Sequence, residues 1–136
     1  MYLELHVPNF DVVREFYSKL GFVIVWEREP EEYKGYLVMK KDADVICFWG
    51  GNEDIYTHEY FGKYSPETPR GYGVELVLQI ADLETYYKQV QTFAEVVEPL
   101  QMKPWGLQDF RIIDPLGYYI RITSPHDILD ERYAVK

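Results

Sequence analysis

The chain has 136 residues, of which 47% are hydrophobic and 27% charged, a composition typical of one soluble globular domain. Its net charge of −9 disfavours contact with phosphate backbones, so a nucleic acid is not an expected partner. No apolar stretch is long enough for a membrane helix and no signal peptide is recognisable, so we expect a cytoplasmic protein with no membrane partner.

The N-terminal segment predicts a strand followed by an amphipathic helix. Side chains of the strand alternate between two faces, and we expect the helix to cover the apolar one: Leu3, Leu5 and Val7 face the helix, and Tyr2, Glu4 and His6 face away. Asn9 is placed to cap the helix, and apolar residues recur at helical spacing from Phe10 to Leu20. Gly21 is then expected to end the helix in the left-handed conformation.

Three more strands are predicted in this half, at residues 22–29, 35–42 and 44–50. In the last of them, Cys47 is expected to be a small buried side chain, and alternation places Trp49 on the helix side. A segment rich in Gly, Pro and charge follows and is too long for a simple turn. Loops of this length are often functional, and its aromatic residues are candidate walls of a ligand groove: Tyr56, Tyr60, Phe61 and Tyr64.

The second half of the chain repeats the first at an offset of 73 residues, with low identity but a shared apolar pattern. Leu5 corresponds to Leu78, and the helix-capping Asn9 corresponds to Asp82. Each half therefore predicts the order β-α-β-β-β. We expect one domain, residues 1–136, organised as a first module (about 1–52), a linker loop (about 53–72), a second module (about 73–124) and a tail (125–136).

In the fifth and the last strand, alternation again separates an apolar set under the helix from a second face. The second-face residues are Glu75, Val77 and Gln79 in the fifth strand and Tyr119, Arg121 and Thr123 in the last. If the sheets curl side by side, these faces line a cup. We therefore predict an α+β fold in which two βαβββ modules form a curved mixed sheet with a cup-shaped cavity, which is typical of a small-molecule site.

Two motifs make the chain resemble the vicinal oxygen chelate superfamily, which includes glyoxalase I, extradiol dioxygenases, fosfomycin-resistance enzymes and bleomycin resistance proteins. One motif runs from Val7 through Phe16 and Tyr17 to Phe22. The other is the "PWG…F…DP-x-G" pattern of residues 104–117. The resemblance covers nearly the whole chain and implies the paired βαβββ fold. This fold hosts many chemistries, so it does not by itself define a function.

Enzymes of this superfamily bind a divalent metal, and the resemblance places its ligand positions at Tyr2, Glu75 and Arg121. Only Glu75 is a usual ligand, because a phenol ligates poorly at neutral pH and arginine stays protonated. The resemblance thus implies no metal, no cofactor and no catalytic residue, with an Arg121–Glu75 ion pair in the metal's place. Two interpretations of this pair stay open: it refills an abandoned site, or Arg121 anchors an anionic or carbonyl group of a ligand.

The three histidines do not provide a convincing replacement. His6 shares the cup face with Glu4, but two residues along a strand are already about 6–7 Å apart, so His6 lies well away from the family position at Tyr2. We expect His6 to be a hydrogen-bonded residue of the cup. His58 and His126 have no partner at metal-ligand spacing and are expected to be solvated.

Within the superfamily, the chain most resembles bleomycin resistance proteins, which implies a homodimer that sequesters a drug at its interface without modifying it. Carried over by position, Trp105 and Tyr33 would stack on a flat ligand, and the net charge suits a cationic one. The Tyr-rich central loop and the C-terminal tail depart from those proteins, so the ligand's identity is open.

The sequence therefore predicts a metal-free binding protein for an aromatic or cationic small molecule of the bleomycin type. The residues assigned to ligand binding are Trp105, Tyr33, Glu75, Arg121, Tyr119, His6 and Phe61. One alternative is a metal-dependent lyase, isomerase or dioxygenase with a rearranged site. Another is a structural or regulatory module whose cup is filled.

Overall fold

The computed structural model describes residues 1–29, 35–50 and 58–134. The chain divides into two compact units, Met1–Thr68 and Pro69–Lys136. In the described segments, each unit contains one four-stranded mixed sheet and one α-helix. The α+β class and the βαβββ order of each half are therefore confirmed, whereas the cup and the boundaries of modules, linker and tail stay predictions.

The first unit contains sheet 1 and its helix. Its elements are β1 (Leu3–Val7), α1 (Phe10–Lys19), β2 (Val23–Arg28), β3 (Gly35–Lys41), β4 (Asp44–Gly50) and a short 3-10 helix (Phe61–Lys63). The strand order is β1-β4-β3-β2, with β1 and β4 parallel and the other pairs antiparallel. As predicted, Asn9 caps α1 by accepting a hydrogen bond from the Val12 N–H at 3.3 Å, and Gly21 follows with φ of +104°.

The helix-covered face of sheet 1 forms the core of the first unit. Its buried residues come from three strands: Leu5, Val7, Leu37, Met39 and Phe48. The rings of Tyr17 on α1 and Phe48 lie 5.0 Å apart. A Cβ at Gly50 would lie 2.4 Å from the ring of Phe10, so only glycine lets the helix approach this closely.

The second unit repeats the arrangement around sheet 2. Its elements are β5 (Glu75–Gln79), α2 (Leu83–Val90), β6 (Glu95–Met102), β7 (Gln108–Ile113), β8 (Tyr119–Thr123) and a 3-10 helix (Glu131–Ala134). The strand order is β5-β8-β7-β6, and Asp82 caps α2 through the Thr85 N–H at 3.3 Å. The helix-covered face buries Leu78, Phe110, Ile112, Ile120 and Ile122. None of the described helices is long and apolar enough to cross a membrane.

The turn between β7 and β8 sets the register of these two strands. Asp114 Oδ1 accepts hydrogen bonds from the N–H groups of Leu116 at 2.9 Å and Tyr118 at 2.8 Å. Gly117 completes the turn with φ of +98°. The resulting register places Arg111 directly opposite Arg121.

The prediction that Trp49 lies on the helix side is wrong. The parallel pairing of β1 with β4 places Phe48 opposite Leu5, under the helix, and Trp49 opposite His6 on the other face. The Trp49 and His6 rings lie 4.9 Å apart. The segment Ile46–Trp49 is apolar at every position, so alternation cannot decide which side faces the helix. The pairing with β1 decides it.

Candidate functional site

The face of each sheet that points away from its helix is called here the open face. On the open face of sheet 2, Glu75 from β5 lies against two arginines. Its Oε1 is 3.5 Å from Nε of Arg121 on β8 and 3.5 Å from Nε of Arg111 on β7. The predicted ion pair between Arg121 and Glu75 is therefore present, and Arg111 is an additional member that the sequence analysis missed.

Carboxylates compensate for the charge repulsion between the two arginines. Arginines directly opposite each other on a ladder repel. Arg111 Nη1 donates a hydrogen bond to Glu98 Oε2 at 2.8 Å, and its Nη2 lies 3.8 Å from Asp109 Oδ2. Lys103 Nζ also donates to Glu98, at 3.2 Å. The hydrogen bond from Lys103, followed by the charge of Arg111, lowers the pKa of Glu98 against the opposing effect of burial.

Asp109 is the deepest charged group of this face. Its side chain is fully buried, and among the described residues neither carboxylate oxygen has a hydrogen-bond partner. Burial raises the pKa of Asp109, against the opposing charges of Arg111, Lys103 and Arg121. The open face of sheet 2 is therefore layered by exposure: Asp109 is buried, the two arginines are partly exposed, and Glu75 is more exposed than either.

Trp105 lies in the turn between β6 and β7, beside this charged cluster. The turn is closed by a hydrogen bond from the Lys103 N–H to the Leu107 carbonyl at 2.8 Å, and Gly106 adopts φ of +86°. The indole is 45% exposed, and Lys103 Nζ lies 5.9 Å from its ring centre. A large flat side chain is thus held by a tight turn with its surface available to a ligand.

The open face of sheet 1 has a different chemistry, centred on Glu4 and His6. The Tyr36 hydroxyl donates a hydrogen bond to Glu4 Oε1 at 2.7 Å, and His6 Nε2 lies 3.4 Å from Glu4 Oε2. Burial, together with the hydrogen bonds to Glu4 and Cys47, raises the pKa of Tyr36 well above its ordinary range. Cys47 is buried, as predicted.

Rings from the segment after β4 pack over His6. The His6 ring is 5.4 Å from Phe61 and 5.7 Å from His58, and the rings of His58 and Phe61 are 4.8 Å apart. His58 Nδ1 also accepts a hydrogen bond from the Tyr60 N–H at 3.0 Å. The prediction that His58 is simply solvated is wrong, because its contact with β1 is long-range and leaves no local sequence signal.

His126 is likewise not simply solvated, contrary to the prediction. Its Nδ1 lies 2.9 Å from the Ser124 carbonyl oxygen, and its backbone N–H donates to Gln79 Oε1 at 2.9 Å. Its ring lies 5.4 Å from Tyr133. The C-terminal tail therefore packs against the second unit at this position.

The seven predicted binding residues do not form one described cluster. Glu75, Arg121 and Tyr119 lie on the open face of sheet 2, with Trp105 at a turn of the same unit. His6 and Phe61 contact each other in the first unit, whereas Tyr33 and the loop residue Tyr56 lie outside the described residues. The sequence analysis missed Asp109 and Arg111. Their alternation with Phe110 and Ile112 along β7 would have placed them on the open face.

Comparison with known proteins gives the fold. No protein family profile and no curated protein sequence matches the chain. Among solved structures, TioX from Micromonospora sp. ML1 is 20% identical, with a TM-score of 0.68 over 91% of this chain and 96% of TioX. A bleomycin-binding protein in complex with bleomycin is 18% identical, with a TM-score of 0.62 over 93% of this chain and 98% of that one.

A third structure bears the superfamily's name. This member of the glyoxalase/bleomycin resistance protein/dioxygenase superfamily, from Sphaerobacter thermophilus, is 17% identical, with a TM-score of 0.65 over 92% of this chain and 97% of that one. The chain has the vicinal oxygen chelate fold. The resemblance inferred from the two motifs is thereby confirmed, and at these identities the likeness concerns the fold and not the ligand.

The residues that the resemblance places at the metal positions do not suit a divalent cation. Tyr2 is 68% exposed, and Glu75 already lies between two guanidinium groups. A cation at Glu75 would be repelled by Arg111 and Arg121, neither of which can lose its proton. Within residues 1–29, 35–50 and 58–134, no three His, Cys, Asp or Glu side chains come together as a possible metal site.

Proposed function

We propose that this vicinal oxygen chelate protein binds an aromatic, cationic or amphipathic small molecule and does not transform it at a metal centre. The observation that carries the proposal is the placement of Glu75 between Arg111 and Arg121 at 3.5 Å from each. Two permanent cations beside Glu75, which the resemblance makes a metal-ligand position, support a site without a metal ion. Binding without chemistry is therefore the function that these residue types suit best.

Trp105 is the residue best placed to contact an aromatic ligand. It is a large rigid side chain, held in a tight turn and 45% exposed. A structurally similar protein binds bleomycin, which supports an aromatic, cationic compound of that type here. The net charge of −9 favours the approach of such a cation, and Tyr33 is proposed as a second stacking residue.

A homodimer with its binding groove at the interface, in the cytoplasm, is part of the same proposal. Strand β2 lies at an edge of sheet 1 and has exposed apolar side chains, including Val23, Val25 and Trp26. Exposed apolar residues on an edge strand favour association with another chain. Sedimentation analysis of the purified protein measures the oligomeric state, and a monomer at micromolar concentration would contradict this part.

Metal analysis of the purified protein tests the metal-free part of the proposal. We expect well under one divalent ion per chain after dialysis against buffer without chelator. A stoichiometric, tightly held divalent ion would overturn this part and favour the enzymatic alternative.

Calorimetric titration of the protein with bleomycin tests the ligand class and the role of Trp105. We expect Trp105→Ala to weaken bleomycin binding by about tenfold or more, because it removes one stacked ring. For comparison, the stacking of a nucleobase on an aromatic side chain is worth about 1–3 kcal/mol. The matched control is Tyr72→Ala, which removes another exposed aromatic ring from the same unit. Equal affinities of Trp105→Ala and Tyr72→Ala would show that Trp105 does not stack on the ligand.

A further inference from the structure

The charge of the ligand group at the open face of sheet 2 can be inferred from the geometry of Arg111, Arg121 and Glu75. Both Nε atoms approach the same oxygen of Glu75 at 3.5 Å. Charge-assisted N–H···O bonds in proteins are usually about 2.7–2.9 Å long. Among the described residues, neither Nε has a hydrogen-bond partner, and both atoms are buried. Two buried Nε donors thus lie 3.5 Å from the same Glu75 oxygen without forming a hydrogen bond to it.

The two arginines are better fixed than the carboxylate between them. The side chains of Arg111 and Arg121 are 16% and 26% exposed, whereas that of Glu75 is 36% exposed. The Nη1 atom of Arg111 also donates a hydrogen bond to Glu98 Oε2 at 2.8 Å. The Glu75 side chain can therefore rotate into the solvent at a small cost in free energy, while the side chains of Arg111 and Arg121 stay in place.

The local charge differs from that of the whole chain. Around this position, Lys103, Arg111 and Arg121 balance Glu75, Glu98 and Asp109, so the cluster is close to neutral. If Glu75 turns away, the exposed position between the arginines becomes positive. An anion is then the group that it attracts, even though the protein as a whole carries a charge of −9.

The geometry points to an oxyanion subsite formed by Arg111 and Arg121, in which a carboxylate of the ligand replaces that of Glu75. Since both Nε atoms lie 3.5 Å from one oxygen, they are no further apart than twice this distance, a gap that one carboxylate can bridge. Trp105 belongs to the same unit and would contact the aromatic part. This inference rests on the proposed function, and it adds a carboxylate group to the aromatic, cationic or amphipathic ligand proposed there.

Two probes of equal ring size and opposite charge test the inference: 1-naphthoate and 1-naphthylmethylammonium, titrated into the full chain by calorimetry. We expect naphthoate to bind more tightly to the wild type. Glu75→Gln is expected to strengthen naphthoate binding by about tenfold, because it removes the competing carboxylate. Arg121→Gln is expected to weaken it by about tenfold or more, because it removes a charged donor.

Two control variants change the net charge by the same amounts at other exposed positions. Glu84→Gln lies in the first turn of α2, and Arg132→Gln lies in the tail. Both are expected to leave naphthoate binding unchanged within about twofold. Arg121→Lys keeps the charge and serves as a second variant if Arg121→Gln fails to fold, which circular dichroism will show.

The inference is overturned if naphthoate affinity does not respond to Glu75→Gln and Arg121→Gln, or if neither probe binds. It is also overturned if naphthylmethylammonium binds more tightly and loses affinity in Glu75→Gln, since Glu75 would then be a cation receptor. These outcomes are separate from failure of the proposed function, which metal content and the response of bleomycin binding to Trp105→Ala decide.

Discussion

The open faces of the two sheets carry different chemistry on the same scaffold. On sheet 1, His6 is packed among the rings of Trp49, His58 and Phe61, with one carboxylate beside it. On sheet 2, the corresponding area holds three cations and three carboxylates at ion-pair distances. Strand order, helix cap and helix-covered core are alike in both.

This difference shows that the fold depends on one face of each sheet and leaves the other face free to vary. The helix-covered faces are apolar in both units because they must exclude water. The open faces have no such requirement, so one is stabilised by ring packing and the other by electrostatics. We expect the faces to respond differently to substitution and to pH.

The largest expected effect on stability concerns the helix-covered core of each unit, and it should be equal in the two units. Phe48 and Phe110 are fully buried, and each contacts a helix tyrosine, at 5.0 Å from Tyr17 and 4.7 Å from Tyr87. Phe48→Ala and Phe110→Ala should each lower the free energy of unfolding by about 3–5 kcal/mol, measured by urea denaturation. A loss confined to one of the two variants would contradict the equivalence of the cores.

The next largest effect concerns the buried charges of sheet 2. Arg111→Met leaves the buried Asp109 carboxylate without its nearest cation, and should cost about 2–4 kcal/mol of unfolding free energy. Adding Asp109→Asn to the same chain should recover part of this loss, because no charge is then left buried. Arg132→Met, at an arginine that is 66% exposed, is the control and should cost about 0.5 kcal/mol or less. Equal losses in Arg111→Met and Arg132→Met would contradict the layered arrangement.

The pH dependence of stability should separate Asp109 from Glu98. Folding raises the pKa of Asp109 above 3.8, mainly through burial, so wild-type stability relative to Asp109→Asn should fall as the pH rises above that value. Folding lowers the pKa of Glu98 below 4.5, so stability relative to Glu98→Gln should be lost as the pH falls below that value. Urea denaturation at a series of pH values measures both differences. Slopes of the same sign for the two residues would show that burial does not dominate at Asp109.

The smallest expected effect belongs to the ring cluster of sheet 1. Phe61→Ala removes one ring from His6 and should cost about 1 kcal/mol, since Phe61 is only partly buried. The loss should be nearly independent of salt, unlike that of Arg111→Met. Tyr64→Ala, which is 52% exposed in the same segment, should change the unfolding free energy by less than about 0.5 kcal/mol. A strong salt dependence for Phe61→Ala would mean that charge and not ring packing holds this segment.

Local patterns were sufficient for the face assignments of β1, β5 and β8. His6, Glu75, Tyr119 and Arg121 all lie on the open faces, because the apolar residues that face the helix recur at every second position of those strands. Alternation also marks Arg111 in β7, but nothing local indicates that it stands opposite Arg121 and shares Glu75. That contact depends on which strands are neighbours.

The wrong predictions have the same origin. Trp49 follows four other apolar residues, so its face depends on the pairing of β4 with β1. His58 contacts His6, and His126 contacts Gln79, over long distances in the sequence that no local pattern encodes.

The sequence by itself determined the α+β class, the repeated βαβββ order and the two helix caps, because these follow from local periodicity and residue chemistry. Only the tertiary structure decided that Arg111 joins Arg121 around Glu75, that Asp109 is buried beside Arg111, and that rings enclose His6. The physical reason is that burial and ion pairing depend on distances between strands, and strand neighbours are chosen by the packing of the whole sheet.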